Sequence, residues 1–276
     1  MTPIGPSAGE DRVLSSEPPA ELLGERTDGH LVTRIYDSAA ALGEAAAADF
    51  ADAVRAELDI QAELAVIFAS ANSQLSFLQA LRARNDVEWA RMHVLHMDEY
   101  LGMPGDHPAS FRWFLGEHLV RHVHPAGFHQ LAGDAPDPQV EAERYSALLK
   151  RLEPQICVLG IGENGHLAFN DPPADFGTAD LVHRVELDSA CRRQQWQEGH
   201  FPSLDEVPSQ ALSLTIPALL KPRHIFGIVP ETRKAAAVKA ALEGPVSPSC
   251  PASILRTAFS ARLYLDAGSA SLLSAW

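Results

Sequence analysis

The chain has 276 residues, of which 22 are Lys or Arg and 36 are Asp or Glu, so its formal net charge is -14. This excess of negative charge argues against nucleic acid and anionic membrane surfaces as partners, because both repel acidic proteins. A small anionic metabolite stays open as a ligand, since a pocket can collect a few cations and helix N-termini whatever the net charge.

The cysteines and the N-terminus bear on the compartment and the domain organisation. Cys157, Cys191 and Cys250 are far apart and form no CxxC pair, which predicts neither a disulfide framework nor a zinc motif and favours the reducing cytoplasm. Residues 1–30 lack the apolar run of a signal peptide or membrane span. We expect them to form a Pro- and Ser-rich N-terminal arm, flexible or packed on a neighbour, and residues 31–276 to form a single domain.

From residue 31 short apolar runs alternate with stretches of helical periodicity. "LVTRIY" (31–36) predicts a strand, and the Ala-rich stretch that starts at Ser38 predicts a helix capped by that serine. Further strands are predicted at "LAVIFA" (64–69), "MHVLHM" (92–97), "ICVLGIG" (156–162), "HRVEL" (183–187), "ALSLTI" (211–216), "HIFGIVP" (224–230) and "ARLYLDA" (261–267). The alternation predicts an α/β fold, Rossmann-like, with a mostly parallel sheet and helices on both faces.

Ligands of such sheets bind at the carboxyl ends of the strands, and the first candidate there is "SANSQ". Ser70, Ala71, Asn72 and Ser73 follow the strand at 64–69 and open a helix, whose free N–H groups could hold a phosphate. Ordinary helix capping explains the same residues. Lys234, in "VPETRKAAAV" after another strand, is a candidate companion for the anion, although a lone lysine on such a helix more often faces solvent.

Adjacent carboxylates follow the strand at 92–97. In "MDEYLGMPGDHPASF", Asp98 and Glu99 precede a Gly/Pro turn, a position that suits a general base. A helix cap or a solvated turn is the alternative interpretation of this pair.

The strand at 156–162 leads into "GENGHLAFNDPP", which places His166 among glycines and Asp171 five residues later. The GxGxxG spacing resembles a dinucleotide motif, but no acid about 20 residues further on completes it. Glycine flanks and a nearby carboxylate suit an oriented imidazole, which can donate and accept a proton near neutral pH. The alternative is a histidine buried in the core, with its ring nitrogens hydrogen-bonded and no catalytic role.

Metal binding is not predicted. His118 and His122 lie one helical turn apart, but the segment lacks the HExxH order and evident carboxylate ligands.

The two motifs "MDEYLGMPGDHPASF" and "GIGENGHLAFNDPP", in this order, resemble the glucosamine-6-phosphate deaminase (isomerase) family, which shares a fold with 6-phosphogluconolactonases. The resemblance runs from about residue 31 to the C-terminus. The lactonases usually carry an arginine after "DE" and a different sequence after "GH", so "DEY" and "AFND" favour the deaminases. The resemblance implies conversion of glucosamine 6-phosphate and water to fructose 6-phosphate and ammonia, without metal or other cofactor.

The resemblance also implies roles for individual residues. Asp98 would move a proton between C2 and C1 of the sugar, and His166 would assist ring opening. Asp171 would orient and charge-balance the imidazole. The phosphate would lie against Lys234 and the loop Ser70–Ser73, with Glu99 and Gly165 as further substrate-binding residues.

Several positions depart from the family pattern. Asn164 stands where the deaminases usually carry an aspartate beside the histidine, and we expect it to be one of the catalytic residues. Asp171 replaces a glutamate, "SANSQ" replaces a Gly-Gly-Thr-Pro pattern, and Ala190 falls near the position of a phosphate-binding arginine. Three functions therefore stay open: a deaminase, a sugar-phosphate lactone hydrolase, and a sugar-phosphate sensor without turnover. A homo-oligomer stays open as well.

Overall fold

The computed structural model describes residues 21–199 and 201–276, and a mostly parallel sheet lies at its centre. The described residues form eleven strands. Their bounds are β1 (Leu22–Asp28), β2 (Leu31–Tyr36), β3 (Leu64–Phe68), β4 (Met92–His96), β5 (Asp98–Tyr100), β6 (Gly127–His129), β7 (Ile156–Leu159), β8 (Val182–Glu186), β9 (Gln210–Leu214), β10 (His224–Val229) and β11 (Ala261–Asp266). Eight of them form the central sheet in the order β1-β2-β11-β10-β7-β3-β4-β6. Only the β1–β2 pair of this sheet is antiparallel in the described chain.

Helices cover both faces of this sheet, as the sequence predicts. The α-helices of the described chain are α1 (Ala39–Leu58), α2 (Leu75–Ala83), α3 (Phe111–Leu115), α4 (Arg121–Val123), α5 (Pro138–Leu152), α6 (Ser189–Gln197), α7 (Ile216–Leu220) and α8 (Ala235–Glu243). One apolar cluster joins the sheet to α1, α2 and α3, and a second joins it to α5, α7 and α8. Among the described residues no helix combines the length and apolar character needed to cross a membrane.

The first helix shows how local sequence fixes the packing. Ser38 caps α1 by accepting a hydrogen bond from the backbone N–H of Ala41, which satisfies one of the free donors of the helix start. Gly43 lets α1 approach α2 closely, because a Cβ there would lie 2.7 Å from the backbone of Ser76. The alanines and this glycine therefore bring α1 close to its neighbour.

The segment assigned to an N-terminal arm differs in the structure from its expectation. Residues 22–28 form β1, which pairs with β2 through a hairpin at Gly29, where φ is +64°. The residues of "LLGERTD" alternate between exposed and partly buried positions, as expected for an edge strand with one face in solvent. This weak pattern explains why the sequence does not predict β1. Residues 1–20 of the expected arm lie outside the described residues.

The strands predicted at 183–187 and 211–216 belong to a second sheet. This sheet is antiparallel, has three strands in the order β5-β9-β8, and covers a third apolar cluster that contains Tyr100, Phe111 and Phe169. The sequence of a short strand with alternating apolar and polar residues does not indicate which sheet the strand joins. The small sheet matters for function because β5 begins at Asp98.

Candidate active site

Four loops that follow parallel strands meet at one edge of the central sheet. They follow β3, β4, β7 and β10, and they border one cleft. The lining residues are Ala69, Ser70, Ala71, Ser73, Met97, Asp98, Phe111, Gly160, Ile161, Gly162, His166, Ala168, Phe169, Gln194, Gln195, Glu198 and Lys234. Six residues selected from the sequence are therefore in the lining, and Asn72, Glu99, Asn164, Gly165 and Asp171 are not.

The glycines beside His166 shape the loop that carries it. The backbone N–H of Gly162 donates to the carbonyl of His166 over 2.9 Å, and the N–H of Gly165 donates to the carbonyl of Gly162 over 3.0 Å. Gly165 has φ +87°, a conformation that favours glycine. A Cβ on Gly162 would lie 2.3 Å from Nε2 of His166, so the missing side chain makes room for the imidazole itself.

A carboxylate orients the imidazole, as the resemblance implies. Nδ1 of His166 lies 3.0 Å from Oδ1 of Asp171, and both side chains are about one-tenth exposed. Burial raises the pKa of Asp171, but the hydrogen bonds from His166 and Asn164 outweigh it and hold this pKa below its ordinary value. Asp171 therefore stays ionised, which fixes the imidazole with its Nδ1–H toward the carboxylate.

Asn164 takes a different position from the one its motif suggests. Its Oδ1 accepts the backbone N–H of His166 over 3.0 Å, and its Nδ2 donates to Oδ1 of Asp171 over 2.9 Å. The amide thus supports the carboxylate and the loop rather than the imidazole ring. We correct its expected place beside the ring: Asn164 lies behind the His166–Asp171 pair.

The carboxyl group of Asp98 is buried in the cleft wall. Its residue is 7% exposed, and nothing in the described chain forms a hydrogen bond with its carboxyl oxygens. Burial, and after it the charge of Glu99, raises the pKa of Asp98 well above its ordinary value. A carboxyl group of this kind can hold and release a proton at the cleft surface.

Glu99 was expected to bind substrate but is a structural group outside the cleft. Successive side chains of a strand point to opposite sides, so Glu99 turns away from the cleft that Asp98 lines. Its carboxylate accepts hydrogen bonds from the Ser110 hydroxyl at 2.6 Å and from Nε of Arg112 at 3.2 Å, besides three backbone N–H groups. These contacts anchor the start of α3 beneath the cleft.

His96 supports the backbone of Asp98 and has no counterpart among the residues predicted from the sequence. Its Nδ1 lies 2.9 Å from the Asp98 carbonyl oxygen, and its Nε2 lies 2.9 Å from the backbone nitrogen of Leu131. Because a backbone N–H donates to Nε2, Nδ1 must carry the proton. Burial lowers the pKa of His96 to about 4, so the ring is neutral and holds the backbone of Asp98 in position through its hydrogen bonds.

Lys234 is a buried cation that faces the cleft. It is 3% exposed, and no residue in the described ranges forms a hydrogen bond or ion pair with its ammonium group. Burial, and after it the charge of Arg233, lowers the pKa of Lys234. Arg233 itself pairs with Glu163, Glu198 and Glu231. Of the two neighbouring cations Arg233 and Lys234, Lys234 is therefore the one available to an anionic ligand.

The loop after β3 contributes a hydroxyl and helix N–H groups. Ser70 Oγ is buried without a hydrogen-bond partner in the described structure. A 3-10 turn at Asn72–Gln74 opens α2, so Ala71 and Ser73 line the cleft at the N-terminus of a helix. The Asn72 side chain lies outside it and donates to the Glu198 carbonyl over 3.4 Å. A second 3-10 turn, at Thr232–Lys234, opens α8 toward the same cleft.

One wall of the cleft comes from α6, which sequence reasoning missed. Gln194 and Gln195 lie on this helix and Glu198 follows it, and all three line the cleft. Arg192, two residues beyond Ala190, donates to the carbonyls of Leu204 and Val207 rather than facing a ligand. The signal was available, because Cys191, the two glutamines and Glu198 have the i, i+3, i+4, i+7 spacing of one helix face.

Comparison with known proteins agrees with this geometry. Residues 37–264 match the family described as glucosamine-6-phosphate isomerases/6-phosphogluconolactonase. The chain belongs to this family. It is 34% identical over 211 residues to a glucosamine-6-phosphate deaminase of Exiguobacterium sibiricum, covering 76% of this chain and 82% of that one. A deaminase of Listeria innocua is 32% identical over 196 residues, covering 71% and 82%.

Solved structures of the family have the same fold. A monomeric glucosamine-6-phosphate deaminase superposes with a TM-score of 0.81 at 27% identity, covering 87% of this chain and 99% of that one. A 6-phosphogluconolactonase from Thermotoga maritima superposes with a TM-score of 0.70 at 17% identity, covering 86% and 99%. The second likeness shows the fold alone, and it confirms the Rossmann-like α/β architecture predicted from the sequence.

Proposed function

We propose that this enzyme converts glucosamine 6-phosphate and water to fructose 6-phosphate and ammonia. The observation that carries the proposal is a single cleft bordered by three buried polar groups that lack partners in the described chain: the Asp98 carboxyl, the Lys234 ammonium and the Ser70 hydroxyl. Buried polar groups are otherwise almost always paired. A ligand with a phosphate at one end and a proton to transfer at the other would satisfy all three.

The phosphate end is assigned to the side of the cleft near Lys234. The ammonium supplies a positive charge, and the helix starts at 72–74 and 232–234 supply N–H groups and the positive ends of two helix dipoles. Ser70 can donate one further hydrogen bond. A dianionic phosphate is the small group that best matches one buried cation and several donors.

The proton-transfer end is assigned to Asp98 and His166. Opening of the sugar ring requires a proton to leave the anomeric hydroxyl and one to reach the ring oxygen, and the cleft-lining His166 is the group proposed to carry it. Asp98 then removes the proton from C2 and returns one to C1. The product is a C2 imine, to which water adds before ammonia leaves.

The environment of each group suits its step. The raised pKa of Asp98 makes this carboxylate a stronger base than an exposed one. Asp171 stabilises the imidazolium that forms when His166 takes a proton, because it lies 3.0 Å from Nδ1. The proposed reaction uses no metal and no other cofactor. The support for a cytoplasmic location is that all three cysteines are free.

A substrate panel tests the proposal. Ammonia and fructose 6-phosphate would be measured with glucosamine 6-phosphate, and acid release with 6-phosphogluconolactone, for the natural protein, Asp98→Asn and the control Asp106→Asn at an exposed acid. We expect equimolar ammonia and fructose 6-phosphate, lost only in Asp98→Asn. Lactone hydrolysis above the spontaneous rate without ammonia would instead assign a lactonase, and binding without turnover would assign a sensor.

A further inference from the structure

Cys191 is a buried thiol beside the catalytic pair that the proposed reaction does not use. It lies in the first turn of α6, is 1% exposed, and its thiol lies close to the Asp171 carboxylate. A ring nitrogen of His166, a carboxylate oxygen of Asp171 and Sγ of Cys191 all lie within 4.8 Å of one another. Of the described residues, these alone bring three such donor groups so close together.

The donor set matches zinc. Cysteine sulfur, histidine nitrogen and carboxylate oxygen are the ligands that Zn²⁺ takes, and tetrahedral bonds of about 2.0–2.3 Å place ligand atoms roughly 3.5 Å apart. The spacing of the three groups therefore needs only a small side-chain adjustment to reach this geometry. Three protein ligands leave a fourth position for water.

The surrounding charge favours a divalent cation. The carboxylates of Asp171, Asp188 and Asp98 lie near the Cys191 thiol, and their negative charge attracts a divalent cation. Asp188 is exposed, and its backbone N–H lies 3.3 Å from Oδ2 of Asp171. An ion can therefore approach past Asp188 without crossing the apolar core.

We propose that His166, Asp171 and Cys191 form an inhibitory binding site for a thiophilic divalent cation such as Zn²⁺. On binding, the thiol proton leaves to solvent, the imidazole proton moves from Nδ1 to Nε2, and the metal replaces the hydrogen bond between His166 and Asp171. The ligated imidazole can no longer accept a proton. The binding site stands on geometry alone, whereas the inhibition rests on the proposed function.

Cobalt binding tests the site without any reference to activity. Co²⁺ would be titrated into the natural protein, Cys191→Ser, Cys191→Ala and the control Cys250→Ser, and thiolate-to-metal charge-transfer absorption recorded. We expect one equivalent to give the band in the natural protein and the Cys250 variant, and no band in either Cys191 variant that retains a native circular dichroism spectrum. Absence of the band from the natural protein, its persistence without Cys191, or its loss in Cys250→Ser would overturn the site.

Zinc inhibition is measured separately, each variant against its own rate in chelator. At saturating Zn²⁺ we expect ammonia release by the natural protein to fall at least about 100-fold, the lower range for loss of an acid–base group, and to recover when chelator is added. Cys191→Ser should need at least about tenfold more Zn²⁺ for the same loss, because a hydroxyl is a poorer zinc ligand than a thiolate. Equal sensitivity of both proteins would refute inhibition through this site, even if deamination itself is confirmed.

Discussion

Replacing Lys234 by methionine should weaken phosphate binding and stabilise the free protein. Methionine keeps an unbranched chain of similar length in the buried position and removes only the charge. Hydrogen bonds to charged groups contribute about 1.5–3 kcal/mol, so the affinity for glucosamine 6-phosphate should fall about 10- to 150-fold. Affinity for glucosamine, which lacks the phosphate, should hardly change. Calorimetric titration with both sugars gives the two values, and Lys150→Met, at an exposed lysine, is the matched control.

The same substitution should stabilise the ligand-free protein, because the ammonium group of Lys234 is buried there without a partner in the described chain. Its pKa in the folded protein lies below the ordinary 10.5, so the unfolded chain binds this proton more tightly. The free natural protein therefore gains stability as pH rises from the lowered pKa of Lys234 toward 10.5. Lys234→Met should raise the melting temperature at neutral pH. The variant should also lack the increase in stability between the lowered pKa of Lys234 and pH 10.5. Equal losses of affinity for both sugars, or a lower melting temperature, would refute an unpaired phosphate-binding lysine.

Three other substitutions separate catalysis from folding. Asp98→Asn should lower turnover about 100- to 10,000-fold while calorimetry shows nearly unchanged substrate binding; near-normal turnover would remove Asp98 from the mechanism. Glu99→Ala should lower the free energy of unfolding by about 3–5 kcal/mol in urea titrations, because buried Arg112 loses its buried partner and keeps only the more exposed Asp134 as an ion-pair partner; an unchanged unfolding midpoint would contradict this. Gly162→Ala should abolish turnover by displacing the imidazole, whereas Gly116→Ala, with open space around it, should not.

The central sheet could be predicted because buried parallel strands are continuous apolar runs. β3, β7 and β10 follow this pattern, and the loops after them meet at one edge as expected. β5 could not be recognised in the same way, since three residues, Asp98–Tyr100, are too few to show a period. Without that strand the opposite directions of Asp98 and Glu99 could not be derived.

The contacts of the candidate site could be predicted where both residues lie on one loop. They could not be predicted where the residues are distant in sequence. His166 and Asp171 share a loop, and their contact follows from its turns. The partners of Asn164 depend on how that loop folds back on itself, which residue type alone does not determine. The spacing of Gln194 and Gln195 places them on one helix face, but only the tertiary packing of α6 brings that face to the cleft.

The cleft has two walls of different structural origin. Asp98, His166 and Lys234 lie at the ends of strands in or beside the central sheet, whereas Gln194, Gln195 and Glu198 come from α6, which sits outside that sheet on the side of the small one. The same helix also borders the catalytic pair, because Cys191 lies close to His166 and Asp171, and Gln194 accepts the backbone N–H of Glu163 in the loop that carries His166. A change in α6 would therefore act on the shape of the cleft and on the surroundings of the catalytic pair together.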